Sequence, residues 1–159
     1  MGTSAHKPII TAAIRVKTAR LRYSFGLPVT RHDRGPFTEY TSLECRGVLE
    51  ASRHMSALPL EATILARREH TRSLTAEDPK EEKHIAIGDL SYRKDNPNCL
   101  LTLPFDSLLL LAPEIISGRI THLIFRGVKA GGGKMSLHSV SLDVADSLED
   151  HGLQRHAAS

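Results

Sequence analysis

The sequence predicts a mainly β protein, an antiparallel β-sandwich or flattened barrel of six to seven strands with a short broken helix over residues 105 to 117 before the last hairpin. Three observations carry this expectation. Residues 38 to 51 alternate between core-forming and polar side chains with the two-residue period of a strand. Gly, Pro and Asn clusters punctuate the chain at short intervals, which suits hairpins better than crossover helices. The densest apolar stretch, Leu103 to Leu142, contains one helical pattern followed by the clearest strand pair.

Residues 1 to 8 are small or polar and unpatterned, and are expected to form a flexible tail ahead of a single β-rich domain over 9 to 145. From Ile10 to Phe25 the apolar parity changes: Ile14 and Val16 share one phase, Leu21, Tyr23 and Phe25 the other. A long strand bulged near Thr18, or two strands meeting there, accounts for the change. In either case Arg15, Lys17, Arg20 and Arg22 point away from the core and form a cationic strip. Residues 26 to 37, GLPVTRHDRGPF, make a polar connection broken by Pro28, Gly35 and Pro36.

Over Thr38 to Ala51, Thr41, Leu43, Cys45, Gly47 and Leu49 take one side, and Tyr40, Ser42, Glu44, Arg46 and Glu50 the other. After a turn over residues 52 to 59, Leu60, Ala62, Ile64 and Ala66 are inward on a strand expected to pair antiparallel with the preceding one. Residues 70 to 83 are charged and aperiodic, the pattern of an exposed loop. His84 to Arg93 is read as a strand, Lys94 to Asn98 as a turn, and Cys99 to Leu103 as a short strand.

Phe105, Leu108, Leu109, Ala112, Ile115 and Ile116 recur at helical spacing, with Asp106 as the N-cap candidate and Gly118 where a left-handed residue ends a helix. Pro113 cannot donate an amide hydrogen bond, so a break near Ala112 is expected. Arg119 to Arg126 then reads as a strand. Gly127 and Gly131 to Gly133 allow a reversal, and Lys134 to Val144 returns with a bulge near His138 and Ser139. The last residues, 146 to 159, are expected to be a second flexible tail.

A chain of 159 residues can bury a self-sufficient core. Aromatic residues are 4% of the sequence and Trp is absent, which disfavours stacking platforms for bases or sugar rings. The two cysteines lie in apolar surroundings, consistent with buried thiols and a reducing, cytoplasmic setting. No export signal, membrane span or lipidation motif is visible. Residues 1 to 38 carry seven cations against Asp33, while the end from Asp143 onward is acidic. The two ends can neutralise each other, or the basic end can present a surface to an anionic partner.

The richest polar cluster is Arg31, His32, Asp33 and Arg34, followed by Glu39 and Tyr40. Guanidinium forks bind carboxylate or phosphate, and a His beside an Asp moves protons near neutral pH. A solvated loop with internal ion pairs explains the same residues. Glu69, His70, Arg72 and His84 would need their loop to fold back. None of the nine histidines has zinc-site spacing, and His122 and His138 are expected to face each other on the last hairpin without completing a metal site. Residues 131 to 136, GGGKMS, fail the phosphate-loop pattern in spacing and in context. The sequence therefore implies no cofactor or metal.

Three functions follow, in decreasing weight. The first is a non-enzymatic module that binds a protein or self-associates. The second is an anion or nucleic-acid binder using the basic strand and the 31 to 34 loop, with Arg20, Arg22 and Tyr40 flanking it. The third is a small hydrolase-like enzyme built on His32, Asp33 and Glu39.

Overall fold

The computed structural model describes residues 7–26, 38–51, 57–67 and 87–144. Seven strands form one sheet that closes into a barrel: β1 (Ile9–Gly26), β2 (Thr38–Ala51), β3 (Leu58–Arg67), β4 (Gly88–Ser91), β5 (Asn98–Pro104), β6 (His122–Gly131) and β7 (Lys134–Asp143). Around the barrel the order is β1-β2-β3-β5-β4-β7-β6, with β6 returning to β1. The expected tails before residue 7 and after residue 144, and the loop over 70 to 83, lie outside the described residues.

The alternation of β2 places Leu43, Cys45 and Leu49 inside, together with Leu60, Ala62 and Ile64 of β3, as expected. Leu90, Cys99, Leu101, Leu123, Phe125, Met135 and Leu137 complete an aliphatic interior around one aromatic ring. Side chains fill the barrel, as they do in barrels of about this strand number.

One expectation needs correction. Every strand pair is antiparallel except β3 with β5, which run parallel in register from Glu61↔Asn98 to Arg67↔Pro104. The chain passes from β3 to β4 by a long connection, and β5 then turns back by a short hairpin into the space between them. That insertion makes β5 parallel to β3. Of the strand expected over 84 to 93, Gly88–Ser91 is strand and Tyr92 and Arg93 are not, while residues 84 to 86 lie outside the described residues.

Bulges occur where the parity changes demanded them. The β1/β2 register shifts between Val16 and Thr18, leaving Lys17 as the extra residue. Opposite it, a Cβ on Gly47 would fall 2.2 Å from the Arg15 carbonyl oxygen, so the close approach of the strands requires glycine. The β6/β7 register shifts between Arg126 and Gly127 and omits His138. His122 pairs with Asp143, so the two histidines do not face each other. The reversal lies at Gly132 and Gly133, both with positive φ, and β6 runs on through Gly127 rather than ending at it.

The helix α1 (Phe105–Ile116) is continuous, not broken. Leu109 and Pro113 both lie on its exposed face, so the hydrogen bond that Pro113 cannot donate is missing on the side toward water. The residue before the helix is Pro104, and Asp106 sits in the first turn, where its charge suits the helix dipole, rather than at the cap. Gly118 adopts φ 77° and donates its N–H to the Ile115 carbonyl, as its position predicts. The helix packs on β1, β2, β3 and β5 and buries only Leu108, Ala112 and Ile115. Leu109, Leu110 and Ile116 face outward, narrowing the expected apolar face.

Candidate binding surface

β2 pairs with β1 over its whole length, from Ala12↔Ala51 to Gly26↔Thr38, but their other neighbours stop short. β6 accompanies β1 only from Ile9 to Arg15, and a last backbone bond joins the Val16 N–H to the Thr121 carbonyl. β3 accompanies β2 only from Ser42 to Leu49. The far parts of β1 and β2 therefore leave the barrel as a two-stranded ribbon. Among the described residues no strand pairs with the outer edge of β1 beyond Val16.

The inward phase of β1 continues along this ribbon after the barrel has ended. Leu21, Tyr23 and Phe25 hold the parity that faces the core, yet they are 39%, 60% and 60% exposed. They are not core residues, as their alternation suggested, since each keeps more than a third of its surface exposed. Tyr40 is 46% exposed on the ribbon's other face. Thr41, directly across from Tyr23, is buried, as is Ser42, and the hydroxyls of both lack a hydrogen-bond partner.

The cationic strip is present but largely neutralised. Arg20 and Arg22 bind the two oxygens of Glu44 at 2.9 and 3.1 Å, and these pairs hold the Glu44 carboxyl below the usual range. Arg15 meets Glu50 at 2.5 Å. Arg46 meets Glu61 at 2.8 Å. The carboxylates come from the outward phases of β2 and β3, and the signal was legible once those strands were set beside β1. Lys17, carried outward by the bulge, has no ion pair among the described residues. It borders an open concavity of about 600 Å³ together with Gly47, Arg46, Glu61, Asn96 and Asn98.

His122, which the sequence set against His138, is instead buried and meets other partners. Its Nε2 lies 3.3 Å from Glu50 Oε2 and its Nδ1 2.9 Å from Thr121 Oγ1. A carboxylate oxygen accepts, so in this contact Nε2 is the donor to Glu50. This hydroxyl, imidazole and carboxylate stand in line, but the ring is 2% exposed and the carboxylate is already held by Arg15. None of these groups lines the concavity beside Lys17. The arrangement is a sealed ion-pair network, not an accessible nucleophile with its base.

Arg31, His32, Asp33 and Arg34 lie outside the described residues, as do Glu69, His70, Arg72 and His84. Of the remaining candidates, Arg20, Arg22, Glu39 and Tyr40 share the ribbon, whose paired ends residues 27 to 37 connect. Among the described residues no group of three or more His, Cys, Asp or Glu side chains could hold a metal ion, and no helix is long and apolar enough to cross a membrane. The chain matches no protein-family model, no curated protein and no solved structure.

Proposed function

We propose that this protein is a non-catalytic module that acts by association, with the projecting β1–β2 ribbon as its contact element and a second copy of the chain as its partner. One observation carries the reading. Among the described residues β1 continues beyond the last residue that β6 accompanies, and it carries Leu21 and Tyr23 exposed on the phase that faces the core elsewhere. Exposed side chains of this size supply apolar area to a partner. Size-exclusion chromatography with light scattering over a concentration series tests it. A dimer that persists in high salt is expected, since the contact is made by apolar groups. A monomer at every concentration overturns the reading.

A second reading is favoured by Lys17. An unpaired ammonium beside Asn96 and Asn98 at the mouth of a concavity suits a small anion such as phosphate. An extended nucleic-acid footprint has less support, because Arg15, Arg20, Arg22 and Arg46 are each engaged by a carboxylate. Titration with inorganic phosphate by calorimetry tests the small-anion site. Unchanged heats after Lys17→Ala, or no binding by the unaltered protein, would exclude it.

A further inference from the structure

The cations of this protein divide by type. Among the described residues Arg15, Arg20, Arg22, Arg46, Arg93 and Arg119 each meet a carboxylate, whereas Lys7, Lys17, Lys94, Lys129 and Lys134 meet none. All of these lysines except Lys17 stand at one end of the barrel, and all are exposed. Lys129 and Lys134 flank the tip of the β6–β7 hairpin, and Lys94 lies in the turn between β4 and β5. The two tips adjoin. Ser91 pairs with Lys134, the Tyr92 N–H donates to the Gly133 carbonyl at 2.9 Å, and a Cβ on Gly133 would lie 2.6 Å from Arg93 Cγ. Lys7 comes two residues ahead of Ile9, whose partner on β6 is Val128.

We infer that this end of the barrel binds the phosphate backbone of duplex nucleic acid, without reading its sequence, through Lys7, Lys94, Lys129 and Lys134. Clustered ammoniums that no carboxylate neutralises draw a polyanion, and lysine holds phosphate as a compact point charge. The one carboxylate of the two turns, Asp95, is held by Arg93. Lys129 opposes the buried Met135 and Lys134 precedes it, so the two ammoniums leave the tip on opposite faces. Between them Ala130 to Gly133 carry no side chain larger than a methyl group, which lets a phosphate row approach the backbone closely. The same bare turn has nothing to bury among lipids, and Ile9 is a single exposed apolar side chain beside Lys7. Tyr92, the aromatic residue of the β4–β5 connection, packs against the core rather than standing free to stack on a base, so a duplex fits better than a single strand. The footprint is compact and separate from the β1 strip, whose arginines are engaged, and it does not depend on self-association.

Fluorescence anisotropy of the full chain with a labelled DNA duplex tests this over a salt series. Four phosphate contacts give a log–log slope of about −3 to −4, so affinity should fall roughly a hundredfold between about 50 and 200 mM salt. Lys129→Gln combined with Lys134→Gln, checked for folding by circular dichroism, should weaken binding and make the slope shallower by about two. Arg119→Gln, at the other end of the barrel beside Glu114, should change neither. No binding of the duplex at about 50 mM salt, or a slope that the double variant leaves unchanged, overturns the inference. Binding to phosphatidylserine vesicles but not to the duplex overturns it in favour of a membrane surface.

Discussion

The two halves of β1 obey one sequence rule and meet different fates. From Ile9 to Val16 the inward residues Ala12 and Ile14 are fully buried, with β2 on one side and β6 on the other. From Leu21 to Phe25 the residues of the inward phase are larger and more aromatic, yet they remain exposed. Alternation assigns a side chain to a face, and burial requires a second surface opposite that face. The closed half buries its apolar side chains, and the other half leaves Leu21 and Tyr23 exposed.

Substitutions should separate the halves clearly. Phe125→Ala, in the closed part beside Ala12, is expected to cost about 3–5 kcal/mol, whereas Tyr23→Ala on the ribbon should stay within about 0.5 kcal/mol for the monomer. Denaturant midpoints measured at low protein concentration decide this, and similar losses at both sites would show the ribbon to be part of the core. Glu50→Gln comes next. It takes the charged partner from Arg15 and His122 together and should cost about 1–3 kcal/mol, read from the same midpoints.

A smaller effect of opposite sign is expected at the base of the ribbon. Thr41→Val replaces a buried hydroxyl without a partner by a methyl group and should raise stability by about 1 kcal/mol. An unchanged or lowered melting temperature would mean that this hydroxyl finds a partner in solution.

The cysteines sharpen the comparison through pH. Cys45 and Cys99 sit on one interior layer on either side of Ala62, and burial pushes both thiols from 9.0 up to about 12. The folded state therefore holds protons that the unfolded chain releases. Their contribution to stability is full below pH 9.0 and is lost as pH rises toward 12. Neither thiol should react with a disulfide reagent at pH 8 until the barrel unfolds. With β3 between them their Cα atoms are roughly two strand spacings apart, too far for a disulfide. Glu44 gives the smallest effect and the opposite sign. Its lowered carboxyl supports folding above the ordinary carboxylate range, and that support fades as the pH falls through the lowered value. High salt should return its NMR titration toward normal, as expected for exposed pairs.

Much of the fold could be read directly. The parity change near Thr18 predicts the bulge at Lys17, the change in the last strand predicts the bulge at His138, and Gly118 marks the end of the helix. The continuous helix through Pro113 could not be read, because the penalty depends on which face the lost hydrogen bond occupies. The cationic strip was visible as a row of charges, but its neutralisation required knowing that β2 lies beside β1 in a register bringing Glu44 to Arg20 and Arg22.

The sequence by itself determined which residues form strands, where the chain turns, and which side chains share a face, because these follow from neighbours one to four positions apart. Tertiary structure alone decided that the sheet closes, that β5 enters parallel to β3, that Glu50 meets His122, and that β6 accompanies β1 only to Arg15. Those outcomes depend on which distant strands stand side by side, and a two-residue period is the same whichever neighbour it meets.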